Sequence, residues 1–199
     1  QLLAKGHRVR GTVRSLKKVQ DLASLRSLPG AAERLELVEA DLLVGGSFDA
    51  AAQGCDAVLH TASPYVLDAK DPQKDLVDPA VQGTRNALSA CQKSPTVKRV
   101  VLTSSMAAIT DEPDSDHVLT ESDWNTKSSL ERNPYYYSKT LAERAAWEFV
   151  EKERPGFDLV VINPFLVIGP ALSSGVNPSN QLFVDLLKGT YPGVMNLTW

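Results

Sequence analysis

The chain has 199 residues, of which 43% are hydrophobic and 23% are charged, and its formal net charge is −3. This length and composition are typical of one α/β domain with a buried core, and the weak negative charge, with no basic stripe to neutralise phosphates, argues against nucleic acid as a main partner. No apolar run reaches the length of a membrane span, so we expect neither a nucleic acid nor a membrane as a partner.

Helix and strand patterns alternate along the chain. The predicted strands are short runs rich in β-branched residues, and the predicted helices are longer segments bounded by capping residues, glycine or proline. From the amino terminus we predict the end of a helix at 1–5 closed by Gly6, a strand at 7–13, a helix at 16–28, a strand at 34–39, and a short helix that Ser47 caps and that ends at 53. A strand at 56–61, a helix at 75–92, a strand at 97–103, a helix at 134–153, a strand at 157–163 and a helix at 178–188 follow.

These strands and helices predict a doubly wound, mostly parallel sheet of the Rossmann type. The runs at 58–60, 100–102 and 159–162 are continuous in β-forming residues. Such runs are typical of strands that are buried on both faces of a parallel sheet covered by helices. The polar, irregular segment 111–131 is predicted to be a surface excursion, and we expect residues 1–199 to form a single domain.

The cysteines and histidines predict neither a disulfide framework nor a metal site. Cys55 and Cys91 are far apart and belong to no CxxC motif, and His7, His60 and His117 are scattered. We therefore expect reduced cysteines in a cytoplasmic protein.

One pair of residues points to chemistry. Tyr135 and Lys139 are four residues apart in a predicted helix, so they lie on one face, one turn apart. This spacing places a phenol, whose pKa is ordinarily about 10, beside a cation that lowers that pKa by stabilising the phenolate. An apolar strand that ends in Thr103, Ser104 and Ser105 precedes the pair. The pattern predicts a proton donor near strand-end hydroxyl groups.

With Ser105, Tyr135 and Lys139 in this order, the chain resembles an extended short-chain dehydrogenase/reductase of the NAD-dependent epimerase/dehydratase superfamily. It is most similar to the dihydroflavonol reductase and cinnamoyl-CoA reductase branch. The segments that carry the resemblance are RVRGTVR at 8–14, EADL at 39–42, HTASP at 60–64, LTSS at 102–105, YYYSK at 135–139 and NPFLVIGP at 163–170.

The resemblance also implies that the sheet is incomplete. Members of this family open with a first strand and a glycine-rich turn ahead of the part that this chain matches. They continue into a substrate-binding region, whose start we expect at about 170–199. We therefore expect the chain by itself to be inactive.

The resemblance implies a Ser-Tyr-Lys site for reducing a carbonyl group. Tyr135 would donate the proton that the carbonyl oxygen takes up, and Ser105 would polarise the carbonyl bond. Lys139 would lower the pKa of the phenol and bind the nicotinamide ribose. Ser104 is the alternative to Ser105, and Tyr136 is better suited to packing.

The cofactor implied by the resemblance is NADPH/NADP+. Arg14 follows the strand at 7–13, where NAD-specific Rossmann domains usually carry an acidic residue. A guanidinium there, with Lys18 nearby, suits a ribose 2′-phosphate; the alternative is a solvated basic strand end. The other residues expected to bind the cofactor are Asp41 and Leu42 at the adenine, Thr61, Ala62 and Ser63 beyond a strand end, Tyr135 and Lys139 at the ribose, and Pro164 and Val167 at the nicotinamide.

We therefore expect an NADPH-dependent reductase of a small-molecule aldehyde or ketone, as a monomer or a homodimer. One alternative is a nucleotide-sugar epimerase or dehydratase, which shares the Ser-Tyr-Lys set but usually prefers NAD. Others are a non-catalytic NADP-binding protein and an inactive fragment. The segment around Tyr135 lacks the Trp and Cys usual in cinnamoyl-CoA reductases, so the carbonyl substrate stays open.

Overall fold

A computed structural model of the protein describes residues 1–17, 19–64, 69–112, 116–170 and 178–190. Helices and strands alternate through these ranges. The strands are β1 (Val9–Val13), β2 (Leu35–Glu39), β3 (Ala57–His60), β4 (Arg99–Thr103) and β5 (Asp158–Ile162). The α-helices are α1 (Val19–Arg26), α2 (Ala31–Arg34), α3 (Asp49–Ala52), α4 (Asp78–Gln92), α5 (Pro134–Glu153) and α6 (Pro178–Leu187).

The described strands form two parallel sheets. In the first, β1 pairs with β2 from Val9 opposite Leu35 to Val13 opposite Glu39. In the second, β4 lies between β3 and β5, and both pairings are parallel. The predicted α/β class with parallel strands is therefore confirmed.

The main core lies on one face of the three-stranded sheet. Helices α4 and α5 pack against each other and cover this face. The apolar side chains that fill the core come from both helices, from β4 and from the segments that lead into β4 and β5. They are Leu88, Cys91, Val97, Val100, Leu102, Ala146 and Phe157.

The opposite face of this sheet is not covered by the described residues. Leu59, Val160 and Ile162 are 55%, 39% and 51% exposed, whereas Val100 and Leu102 are buried. Successive side chains of a strand point to opposite faces, and α4 and α5 both pack on the face of Val100. The prediction that these strands are buried on both faces is therefore wrong for the part of the chain that the structure describes.

Helix α5, which carries Tyr135 and Lys139, has the predicted bounds. Pro134 occupies its first turn, where the missing N–H is not needed and the fixed φ suits a helix. The helix ends at Glu153, and the amide of Arg154 donates to the carbonyl of Val150 at 3.0 Å.

The predicted start of α4 is three residues too early. A π-helix, Gln73–Val77, precedes it, and within this helix the Asp75 carboxylate accepts bonds from the amides of Lys70 and Asp71 at 2.9 and 3.0 Å. The predicted start therefore falls within the π-helix, and α4 begins at Asp78.

Ser47 does not cap α3, contrary to the prediction. Its Oγ donates to the carbonyl of Asp41 at 2.6 Å and accepts from the Asp41 amide at 3.1 Å. The cap position is Phe48, which has no capping side chain. By contrast, Gly6 does close the first helical turn, with a φ of 84° and a bond from its amide to the Leu3 carbonyl.

Arg10 connects the two sheets. From β1 its Nε donates to Glu36 on β2 at 2.7 Å, and its Nη1 donates to the carbonyls of Ala51 and Gln53 at 3.1 and 2.7 Å. Ala51 and Gln53 lie at the end of α3, from which the chain runs into β3. One guanidinium group therefore ties the first sheet to the segment that begins the second.

No helix in the described ranges is both long and apolar enough to cross a membrane.

Candidate active site

The site lies where the three strands of the larger sheet end. Ser63 follows β3, Ser105 follows β4, and Asn163 follows β5. Because neighbouring strands of this sheet are parallel, their carboxyl ends meet at one edge. Hydroxyl and amide groups from three separate segments therefore come together.

Helix α5 adds the lysine and the tyrosine to this edge. Lys139 is 8% exposed, and its Nζ donates to the Ser63 Oγ at 2.6 Å. The same Nζ lies 5.3 Å from the centroid of the Tyr135 ring. The structure thus brings together three of the predicted residues, Ser63, Tyr135 and Lys139.

Burial shapes the protonation of the basic groups. It lowers the pKa of Lys139 from 10.5 to about 8, because a desolvated ammonium is penalised. Burial, together with the nearby charge of Lys139, lowers the pKa of His60 from 6.5 to about 4. At neutral pH the site therefore holds one buried cation, Lys139, beside a neutral imidazole.

The backbone on either side of Ser105 is fixed by the end of β5. The amide of Ser104 donates to the carbonyl of Ile162 at 2.8 Å, and the amide of Met106 donates to that of Pro164 at 3.0 Å. The Ser105 Oγ accepts from the Ala107 amide at 3.2 Å and so caps the 3₁₀ helix Met106–Ala108. The choice between Ser105 and Ser104 as hydrogen-bond donor to a substrate stays a prediction.

A buried carboxylate that the sequence reasoning missed joins α5 to this backbone. Glu143 is 6% exposed, and its Oε2 accepts from the Asn163 Nδ2 at 2.8 Å. The same Nδ2 donates to the Ser105 carbonyl at 3.1 Å. The sequence contains one signal for Glu143: it lies four residues after Lys139, and residues four apart share a helix face.

A second polar cluster holds the amino-terminal end of α5. Asp111 accepts bonds from Ser128 at 2.9 Å and Arg132 at 3.0 Å, and also from Asn133, the residue before α5. Burial alone raises the pKa of Asp111, but the bonds from Arg132, Ser128 and Asn133 outweigh it and hold that pKa below its ordinary value. The pKa of Tyr136 is raised, first by burial and then by the Asp111 charge.

Asn125 anchors the irregular segment before α5. Its side chain is buried, and its Nδ2 donates to the carbonyl of Ala107 at 2.8 Å. The described part of the predicted surface excursion is therefore tied to the residues that follow Ser105.

The residues predicted to hold the adenosine half of the cofactor lie on the smaller sheet. Arg14 is exposed just after β1, and Asp41 is partly buried just after β2. Leu42 packs against Gly83 of α4, where a Cβ would lie 2.9 Å from the leucine Cδ2, and Asn86 donates to the Leu42 carbonyl at 2.7 Å. No described hydrogen bond or ion pair joins Arg14 or Asp41 to Lys139 or Ser105.

The other predicted positions are mostly open to solvent. Thr61 and Ala62 are exposed, Pro164 is partly buried, and Val167 is 64% exposed. Lys18 lies outside the described residues. The start of the substrate-binding region is expected at about 170–199, and residues 171–177 and 191–199 of it also lie outside the described residues.

An acidic group beside the loop after β1 was also missed. The Glu39 carboxylate accepts from the amide of Leu16 at 2.7 Å, two residues beyond Arg14. This carboxylate reaches the loop from the neighbouring strand β2, so it is not adjacent to Arg14 in the sequence.

Comparisons with known proteins identify the family and the fold. Residues 1–185 match the NAD dependent epimerase/dehydratase family. The chain is 46% identical to a cinnamoyl-CoA reductase of Medicago truncatula over 96% of its length and 41% identical to a dihydroflavonol 4-reductase of Arabidopsis thaliana over 90%. The crystal structure of yeast methylglyoxal/isovaleraldehyde reductase complexed with NADPH superposes with a TM-score of 0.75 at 36% identity and covers 85% of the chain.

The chain spans only part of each of these proteins. It covers 60% of the cinnamoyl-CoA reductase, 48% of the dihydroflavonol 4-reductase and 54% of the yeast reductase. The match in structure confirms the predicted Rossmann-type class, and the match in sequence confirms the predicted family.

Proposed function

We propose that this chain, which belongs to the NAD dependent epimerase/dehydratase family, is part of an NADPH-dependent reductase that converts an aldehyde or ketone into an alcohol. The observation that carries the proposal is the buried Lys139 ammonium, which contacts Ser63 and lies against the Tyr135 ring at the carboxyl edge of a parallel sheet. The similar proteins named as reductases support the same reaction class.

The chain's own residues would handle the carbonyl oxygen. As the carbonyl carbon gains a hydride, negative charge develops on that oxygen, which needs a proton and hydrogen-bond donors. Tyr135 would donate its hydroxyl proton to the oxygen, and the Ser105 hydroxyl would donate a hydrogen bond to it. Lys139 would stabilise the phenolate left on Tyr135, because its charge is poorly screened in a buried site. The alcohol then carries one added hydride and one added proton.

The residues present fit a nicotinamide dinucleotide with a 2′-phosphate. Arg14 offers an exposed guanidinium just after β1, and Asp41, just after β2, carries a carboxylate suited to an adenine amino group. Lys139 would bind the ribose hydroxyls next to the nicotinamide. When bound, the reduced nicotinamide supplies the hydride. We expect such an enzyme to work in the cytoplasm as a monomer or a homodimer, and its two free cysteines suit that compartment.

A pair of neighbouring tyrosines gives a matched test of this proposal. The whole protein would be incubated with NADPH and a panel of aldehydes and ketones while the nicotinamide absorbance is followed. We expect Tyr135→Phe to abolish reduction and to preserve NADPH binding, because only the proton donor is lost. Tyr136→Phe removes the same hydroxyl from the next residue and should retain activity. A dead Tyr136→Phe beside an active Tyr135→Phe would contradict the assignment.

The same assay separates the alternatives. An epimerase or dehydratase would turn over a nucleotide sugar without net consumption of NADPH. A non-catalytic protein would bind the dinucleotide and consume none with any substrate. The basic Arg14 at the end of β1 favours a 2′-phosphorylated cofactor and so speaks against the NAD-preferring alternative.

A further inference from the structure

Glu143 is a buried carboxylate to which the proposed reaction assigns no role. Both of its oxygens accept hydrogen bonds, Oε2 from the Asn163 Nδ2 at 2.8 Å and Oε1 from the Trp147 Nε1 at 3.4 Å. No ion pair joins it to a cation in the described ranges. A buried carboxylate in this position is tolerated only because polar groups are aimed at it.

The amide of Asn163 is oriented by two acceptors at once. Its Nδ2 carries two protons, one directed to Glu143 and the other to the Ser105 carbonyl at 3.1 Å. The reversed amide would place its oxygen against a carboxylate and a carbonyl, so only one orientation is satisfied. Asn163 therefore holds the Ser105 backbone at a fixed position relative to Glu143.

The hydrogen bonds from Asn163 to Glu143 and to the Ser105 carbonyl form a connection between α5 and the end of β4. The helix at one end of this connection also carries proposed catalytic groups. Glu143 lies one turn beyond Lys139 on α5, on the same face, and Lys139 lies one turn beyond Tyr135. The strand end of the connection is the backbone of Ser105. A chain of two hydrogen bonds thus fixes the distance between the helix that would supply the proton and the strand end that would polarise the carbonyl.

We infer that Glu143 and Asn163 are positioning residues, which set the placement of Ser105 relative to Tyr135 and Lys139. This inference rests on the proposed reductase function. Displacement of a catalytic group by about 1 Å can lower a rate by about 100-fold. Loss of the connection should therefore lower kcat more than it raises KM.

Four variants of the whole protein test the inference by steady-state kinetics. Glu143→Ala and Asn163→Ala should each lower kcat by about 10- to 100-fold with little change in KM for the carbonyl substrate. Glu143→Gln keeps an acceptor for the Asn163 amide and should restore most of kcat. Glu151→Ala removes an exposed carboxylate from the same helix and should leave kcat unchanged. The double variant Glu143→Ala/Asn163→Ala should be no slower than either single variant, because the two residues act as one unit.

A second measurement does not depend on catalysis. Amide hydrogen exchange at Met106, which donates to Pro164 beside this connection, should be faster in Glu143→Ala and unchanged in Glu143→Gln. Unchanged exchange, or a lower melting temperature with normal kcat, would reduce Glu143 to a structural residue and overturn the inference. Faster exchange in Glu143→Ala, together with a wild-type protein that reduces no carbonyl, would instead refute the proposed function and leave the positioning role standing.

Discussion

Burial of Lys139 predicts a stability penalty that disappears as the pH rises. The pKa of this lysine is 10.5 in its ordinary state and about 8 in the folded protein, because burial penalises the charged form. Between these two values the unfolded chain binds more protons than the folded one, so the free energy of unfolding rises with pH. Below pH 8 the penalty is present in full, and a shift of this size corresponds to about 3 kcal/mol.

Replacing the lysine by a neutral side chain of similar length isolates this penalty. Lys139→Met should unfold at a higher urea concentration than the wild type below pH 8, once packing differences are taken into account. Over the range from pH 8 to 10.5 the advantage of the variant should shrink by about 3 kcal/mol, because the wild-type lysine loses its charge. Subtracting the curve of unfolding free energy against pH for the wild type from that for Lys139→Met cancels the contributions of the other lysines and of the tyrosines.

The control removes a lysine that is not buried. Lys188 is exposed at the end of α6, so Lys188→Met should follow the wild-type dependence on pH. Curves for the wild type and Lys139→Met that stay parallel from pH 8 to 10.5 would refute the reasoning, because burial would then not penalise the charge.

Two further predictions concern His60 and Arg14. The pKa of His60 is depressed from 6.5 to about 4, first by burial and then by Lys139, so its contribution to stability is present above pH 6.5 and is lost as the pH falls through 4. As the pH falls from 6.5 to 4, the free energy of unfolding of His60→Gln should rise by up to about 3 kcal/mol relative to that of the wild type. Equal losses of stability in both proteins over this range would contradict the prediction. Arg14→Asp should lower kcat/KM for NADPH by about 10- to 100-fold relative to NADH, as expected for the loss of a charged hydrogen bond. A wild type that prefers NADH, or a variant with the same preference, would show that Arg14 does not bind a 2′-phosphate.

Local features of the chain were predictable from its sequence. The bounds of α5 follow from Pro134 at its start and from a long run of helix-forming residues. The closeness of Tyr135 and Lys139 follows from helix geometry alone. The parallel strands follow from the alternation of strand and helix, which leaves room for crossover connections.

Features that depend on distant contacts were not predictable. The spacing from Lys139 places Glu143 on the same helix face, but its burial and its bond to Asn163 depend on the approach of the segment that follows β5. The apolar residues of β5 suit burial on both faces, but the packing of the helices decides which face is covered. The π-helix before α4 has the same residue types as an α-helix, and the bonds from two backbone amides to Asp75 in it leave no periodic signal in the sequence.

Arg10 makes the junction between the two sheets depend on geometry as well as on charge. Its planar guanidinium donates at once to a carboxylate on β2 and to carbonyl groups at the end of α3. Arg10→Lys would keep the ion pair with Glu36, but a single ammonium on a flexible stem cannot reproduce this fixed fork of donors. A substitution that conserves charge would therefore loosen the smaller sheet, which carries Arg14 and Asp41, from the larger one, which carries Ser63.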